Sequence, residues 1–397
     1  MNKDFFRHNR QSLMNKIDSD LVVVAGNVSV QRSNDAAYAF AQEANFWYLT
    51  GINDAQWRLV IDGEKSWLIA PDIDEVHRIF DGGLSHSDAQ EMSGVDEVIS
   101  FQAGETLLAT LLAAHKSVGS LGGDPHKEYY DFILNPGPVT LLEYLKKSSA
   151  TIEDIRRPLA ILRAIKQPTE IALMRQAIDV TIAGFERIKD NLDSYSYEYQ
   201  IEADFTHAFV SAGALGHAYD PIVAAGKNAC TLHYVKNQAK LNPGEFVLLD
   251  IGASVEGYAA DISRTYAYGD ISDRQRAVHG AVEQAHAAII DLLRPGLAIA
   301  EYFTAVDDIM KRALTSLGLL HTESDYRKYF PHSISHGLGI DVHDSLGGPK
   351  EFQVGMVLTV EPGIYIPEEG IGVRIEDDIL ITEMGHENLS QMLPTSL

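Results

Sequence analysis

The stretch EFVLLDIGASVEGYAADISRTY, residues 245–266, decides how the second half of this chain is read. Two apolar, β-type runs flank Val255-Glu256-Gly257, a natural hairpin turn. Asp250 follows Val247, Leu248 and Leu249, and Asp261 follows Tyr258, Ala259 and Ala260. With the turn centred on Val255–Glu256, paired residue numbers sum to 511, which sets Asp250 opposite Asp261. Their Cβ atoms would then lie about 5 Å apart, and a bulge at Gly257 would move the pairing by one residue. Two like charges in an apolar hairpin repel and lose hydration, so either one carboxyl is protonated or a cation bridges them. Either acid alone would be an ordinary turn or edge residue; the pair is the signal.

Further unusual acids and histidines follow. PHSISHGLGIDVHD, residues 331–344, holds His332, His336 and His343 within fourteen positions. A single histidine is usually a hydrogen-bonded core residue, and GLGID lacks the strand–GxxxxGK[ST]–helix context of a phosphate loop. MVLTVEPGIYI, residues 356–366, puts Glu361 at the end of a β-branched strand before a Pro-Gly break. In GIGVRIEDDILIT, residues 370–382, alternation sets Arg374, Glu376 and Asp378 on one face. Taken by itself, Arg374–Glu376 reads as an ion pair on a solvated strand. The set Asp250, Asp261, His336, Glu361 and Glu376 is different, because four carboxylates and one imidazole exceed what one catalytic zinc takes from a protein. Oxygen-rich ligation with one nitrogen suits two divalent ions such as Mn²⁺, Co²⁺ or Zn²⁺. Such a pair supplies a nucleophilic hydroxide near neutral pH and a Lewis acid for a carbonyl.

Composition bounds the alternatives. At 397 residues the chain accommodates two domains. Lys+Arg of 32 against Asp+Glu of 56 gives a formal net charge of −24, which speaks against nucleic-acid or anionic-membrane partners. The lone Cys230 excludes an intramolecular disulfide and fits a reducing compartment, with Cys230 as a small buried hydrophobe. The opening MNKDFFRHNRQSL has no apolar core of a signal peptide, and no run has the ~18 apolar residues of a membrane span. The expected location is therefore the cytoplasm.

Along the chain, LVVVAG, LVID and WLIAP within residues 20–70 read as strands, 104–116 as a helix, and 117–150 as turns with a helix. The polar stretch 147–170 is the best boundary, giving domains 1–160 and 161–397. A helix starts near Pro168 with Ile171, Met174, Ile178, Ile182 and Phe185 facing a core. A second, alanine-rich helix is expected over 276–293, stopped by RPG, and the rest of this half reads as strands joined by glycine-containing turns.

The order Asp-x₁₀-Asp, His, EPGIYI, VRIEDD resembles the pita-bread metallopeptidases, which include methionine aminopeptidase, prolidase and aminopeptidase P. The resemblance covers roughly residues 165–397. It implies an α+β pita-bread (creatinase/methionine-aminopeptidase-like) catalytic domain holding two ions. Asp250 would bind one ion, His336 and Glu361 the other, and Asp261 and Glu376 both. It further implies that His233 (in ACTLHY) and His343 (in DVHD) contact substrate and its scissile carbonyl. His332 becomes a further pocket histidine, and Arg374 orients ligand carboxylates. The segment NVSVQRSNDAAYAFAQEANFWYLTGIN, residues 27–53, is similar to the α/β N-terminal domain of aminopeptidase P, with Asn45 where aspartate is common. Phe46, Trp47 and Tyr48 are read as core, and methionine aminopeptidase lacks such a domain.

The resemblance thus implies a manganese-dependent Xaa-Pro aminopeptidase. A metal-bridging hydroxide would attack the bond before proline, Glu361 would hold its proton, and His233 or His343 would stabilise the oxyanion. The implied partners are a peptide with proline at position two and further copies of the chain, as a dimer or tetramer. Two alternatives stay open at this stage: a prolidase cleaving Xaa-Pro dipeptides, and a non-peptidase member of the fold such as a metal-free creatinase or a binding protein. Relatives often carry an arginine between the equivalents of His343 and Glu361. Here Lys350 is the sole cation in that interval, which favours the aminopeptidase over strict dipeptide recognition.

Overall fold

The computed structural model describes residues 1–123, 130–148 and 150–397. Part of the turn-and-helix region expected over 117–150 therefore lies outside the described residues. The chain divides into two compact units, Met1–Leu162 and Arg163–Leu397.

The first unit is built on a mixed six-stranded sheet. Its strand order is Glu97–Ile99, Lys65–Ile69, Arg58–Asp62, Leu21–Ala25, Ser117–Ser120, Thr151–Asp154. Leu21–Ala25 is central and buried throughout, which is why its sequence is continuously apolar rather than alternating. Leu21, Val23, Val60 and Trp67 pack with Leu108 and Leu112 of the helix Phe101–Ala114. The segment quoted for its resemblance forms the helix Ala44–Thr50, which buries Phe46 and Tyr48, leaves Trp47 half-buried, and ends on Gly51 at φ 70°. Phe46 and Tyr48 are core, as expected, while Trp47 lies at its margin.

The second unit starts its long helix at Pro168, with a capping box between Gln167 and Glu170, and runs to Asp190. Met174, Ile178, Ile182 and Phe185 are buried, and Ile171 lies half-buried at the margin of that face. The alanine-rich helix spans Asp273–Ile290, three residues earlier than expected, because Ser272 and Gln275 form a capping box upstream of the alanine run. A further difference is larger. The remainder is not only strands: Glu198–Ser211, Ile299–Ser316 and Glu323–Tyr329 are helices. Ile299–Ser316 buries Tyr302, Val306, Ile309, Met310 and Leu314 at helical spacing.

The strands form several small sheets. Glu245–Ile251 lies between Ile222–Ala225 and Ile262–Tyr268, and Asp377–Thr382 lies between Val357–Val360 and Gly385–Asn388. A bridge from Ser263 to Glu376 joins these two sheets. A two-stranded ribbon, Gly363–Ile366 with Ile371–Arg374, packs beside them. Helices Asp273–Ile290 and Ile299–Ser316 share one apolar core with these strands.

The hairpin register corrects the sequence reading. Val255 pairs with Tyr258 and Ser254 with Ala259, so the turn is Glu256–Gly257 rather than Val255–Glu256. Both turn residues have positive φ, 46° and 87°, as a two-residue turn matched to strand twist requires. Asp250 consequently pairs with Ser263, not Asp261. The partner moves by two, so the two acids keep one face and become diagonal neighbours. Gly252 is required here, since a Cβ on it would run into the Ala260 carbonyl oxygen.

Candidate metal centre

The two strands of the hairpin deliver Asp250 and Asp261 to one spot, where a single tyrosine touches both. The Tyr219 hydroxyl stands 2.7 Å from Asp250 Oδ1 and 2.6 Å from Asp261 Oδ1. One hydroxyl proton serves only one of these contacts, so the arrangement is left with an unsatisfied demand for positive charge or a shared proton. Glu376 arrives from the Ser263 bridge, with Ser263 Oγ donating to Glu376 Oε2 at 2.7 Å. His336 presents Nε2 3.4 Å from Asp261 Oδ2 and 3.7 Å from Glu361 Oε1. The structure therefore brings all five expected ligands together. Ligand atoms of Asp261, His336 and Glu376 lie within 4.8 Å of one another, close enough to share an ion.

Each histidine's tautomer follows from its partners. His336 Nδ1 lies 2.9 Å from the Gly337 carbonyl, which can only accept, so Nδ1 carries hydrogen and Nε2 is free to ligate. His332 Nδ1 likewise donates to Ser333 O at 2.7 Å, so its Nε2 accepts from the Tyr365 hydroxyl at 2.9 Å. Tyr365 oxygen in turn accepts from Arg374 Nη1 at 2.8 Å. Burial, then Arg374, holds His332 down at about 3, a neutral imidazole. His233 and His343 face solvent and lie within electrostatic reach of one another, and His343 stacks edge-on against His336 at 4.3 Å between ring centroids.

Arg374 is not on a solvated strand, contrary to the isolated reading of Arg374–Glu376. It is 4% exposed and holds Asp250 Oδ2 at 2.5 Å, while its Nε donates to Ser263 Oγ at 2.9 Å and stays 4.0 Å from Glu376. It works as a buried clamp on Asp250.

The electrostatics fit a bound cation. Burial first, then neighbouring acids, raises Glu376 well above the usual carboxylate range, and burial lifts Glu361 to about 7. Asp250 is raised by burial against the pull of Arg374. Burial opposes a charged His336, yet Asp261 and Glu361 outweigh it and hold it at about 9. Four carboxylates with one arginine leave an excess of buried negative charge, and the donor set of carboxylate oxygens plus one imidazole nitrogen suits divalent ions.

The sequence supports this geometry directly. Residues 172–383 match the model of metallopeptidase family M24, and residues 6–119 match that of the aminopeptidase P N-terminal domain. The chain belongs to metallopeptidase family M24. The Xaa-Pro aminopeptidase of Escherichia coli (strain K12) is 34% identical over 426 residues, spanning 97% of this chain and 94% of its own. A solved structure of E. coli aminopeptidase P with the inhibitor Pro-Leu matches with a TM-score of 0.89 at 32% identity, over 100% of this chain and 96% of that one. The zinc-substituted E. coli enzyme with product matches with a TM-score of 0.88, at the same identity and coverage.

This M24 chain also uses residues that sequence reasoning passed over. Tyr219 is one tyrosine among 17, outside any motif. Tyr365 lies inside EPGIYI, where it read only as a strand residue. Ser263 joins Glu376 and Arg374, and the buried Asp378 accepts from the Asp261 backbone N–H at 3.2 Å. Lys350 is exposed in the loop before Glu361.

Proposed function

We propose that this M24 metallo-aminopeptidase releases the N-terminal residue from peptides with proline at the second position. The observation that carries the reading is the ring of Asp250, Asp261, His336, Glu361 and Glu376, gathered on a fold matched end to end by aminopeptidase P. Asp250 would hold one ion, His336 and Glu361 the other, and Asp261 and Glu376 would bridge. Two divalent ions supply a nucleophile near neutral pH and a Lewis acid for the carbonyl. We assign manganese as the native metal, with cobalt or zinc able to replace it.

The chain's own groups then divide the work. Arg374 and Tyr219 orient Asp250 and Asp261. Glu361, held near 7, is suited to taking a proton and passing it on around neutral pH. His343 and His233 would donate to the carbonyl oxygen as charge develops, and His332, neutral and tied to Tyr365, lines the pocket. Like any amide nitrogen, the proline nitrogen must gain a proton to depart, and within a peptide it bears no hydrogen of its own. The lone Cys230 fits a cytoplasmic protein, and among the described residues no helix is long and apolar enough to cross a membrane. We further assign the chain as a homo-oligomer.

Ala-Pro-Ala, Ala-Pro and acetyl-Ala-Pro-Ala, each with Mn²⁺, test the reading. Release of alanine from the tripeptide, with the acetylated peptide untouched, is the expected result. Preference for Ala-Pro would make the chain a dipeptidase, and no turnover of any of them would overturn the assignment.

A further inference from the structure

The loop between His336 and His343 is closed at its root. Asp344 N–H donates to Gly337 O at 2.8 Å, and Gly337 also bridges to Leu358. Ala259 N–H donates to Gly339 O at 2.9 Å, which ties the loop to the hairpin that carries Asp261. His336 is fixed by Gly337 O, but among the described residues no hydrogen bond holds the His343 imidazole. Its placement comes from ring contact with His336 and from the backbone at 343–344.

That backbone is held by a buried charge cluster. The Asp344 side chain is 4% exposed, and its Oδ1 accepts from Ser345 N–H at 2.8 Å and lies 3.0 Å from Arg163 Nη2. Its Oδ2 lies 3.4 Å from Nζ of Lys166, a lysine whose side chain is only 1% exposed. Arg163 Nη2 also reaches Asp341 Oδ2 at 2.5 Å, so one guanidinium spans the loop tip. The packing is tight, because a Cβ on Gly339 would meet both the Asp344 carboxylate and the Lys166 stem. Burying a lysine beside a carboxylate is a poor source of stability, since desolvation offsets the attraction. It is a good source of fixed geometry, because both side chains are closed off from solvent and Asp344 is held from two sides.

We infer that Lys166 and Arg163 are positioning residues, which set the His343 imidazole for reaction by clamping Asp344. The inference rests on His343 facing the substrate carbonyl, as proposed above. Asp344 follows His343 in the chain and its N–H is bonded to Gly337 O, so displacing Asp344 disturbs the backbone that carries the His343 ring. Displacements of about 1 Å at a reacting group cost up to 10²-fold in rate.

The experiment compares the Mn²⁺-loaded wild type, Lys166→Met, Lys166→Arg, His343→Ala and the Lys166→Met/His343→Ala double variant. Lys166→Met leaves Arg163 to pair Asp344. We expect its kcat on an Xaa-Pro-Yaa peptide to fall roughly 10- to 100-fold with KM nearly unchanged. Bound metal per chain stays as in the wild type, and Lys166→Arg recovers much of the rate. In the His343→Ala background, Lys166→Met has no further effect, because the residue it positions is gone. If Lys166→Met proves unstable, Lys166→Gln/Asp344→Asn removes both charges together and is expected to show the same masking. An equal kcat loss with and without His343, or loss of metal in proportion to loss of rate, overturns the inference and leaves the His343 reading standing. Full kcat in His343→Ala alone sinks the His343 reading, and the clamp with it.

Discussion

His336 and His343 stand 4.3 Å apart, but their rings are held differently. Gly337 O fixes one hydrogen of His336 and leaves Nε2 aimed between Asp261 and Glu361, which is how a ligand is prepared. The His343 ring faces solvent, where the proposed function has it meet a substrate. His336→Ala is expected to lose an ion, measured as metal per chain after gel filtration. His343→Ala is expected to keep full metal and lose about 10²–10³-fold in kcat, on the scale of one oxyanion donor. Asp261→Asn keeps the side-chain volume and its contact with Tyr219 but removes the charge proposed to bridge the ions. Its activity is expected to vanish while its metal-free melting temperature stays near that of the wild type. Near-normal turnover of Asp261→Asn in metal-replete buffer would exclude the dinuclear assignment.

At the scale of elements, Arg264 fastens the sheets behind the site. From the strand Ile262–Tyr268 it donates to Glu376 O at 2.8 Å, Asp377 Oδ1 at 2.7 Å, Leu393 O at 2.7 Å and Pro394 O at 3.1 Å. It is 1% exposed, as is Asp377. Arg264→Met leaves the buried Asp377 carboxylate with Asn388 but without its guanidinium, so a loss of about 3–5 kcal/mol is expected in urea unfolding of the metal-free protein. A change under 1 kcal/mol would mean that the ion pair contributes little there. The candidate ligand acids were legible because each breaks a local pattern: a charge inside a β-branched run, or just before a Pro-Gly break. The register was not, because Glu256 takes a positive φ that its type does not announce. Nor was the helix Ile299–Ser316, whose N-cap is Ala298 with no side-chain cap, so the usual start signal is missing. Tyr219, Lys166 and Asp344 escaped for another reason. Their partners are distant in sequence, 178 residues apart for Lys166 and Asp344, and no local pattern encodes such a contact.

The whole molecule feels the site through its charge. Burial raises the folded-state pKa of Glu361 to about 7, and those of Glu376 and Asp378 well above the carboxylate range. Asp261 and Glu361 hold His336 at about 9 against its own burial. All four groups bind protons more tightly folded than unfolded. Their contribution to stability is present at low pH and is lost as pH rises through these folded values. His332, His286 and His279, depressed chiefly by burial, act in the opposite sense, but only below the unfolded histidine value of about 6.5. From pH 6.5 to 9 the raised groups, which Asp250 and His77 join in the same sense, set the trend, and the melting temperature of the metal-free protein is expected to fall across that window. Divalent ions reverse the trend, because they bind the deprotonated ligands of the folded state and not the unfolded chain. With saturating Mn²⁺ the melting curve is expected to rise at every pH, and by most at pH 9, where protons compete least for the ligands. A metal-free melting temperature that climbs between pH 6.5 and 9, or a Mn²⁺ shift that shrinks toward pH 9, would show that the clustered acids are not what binds the metal.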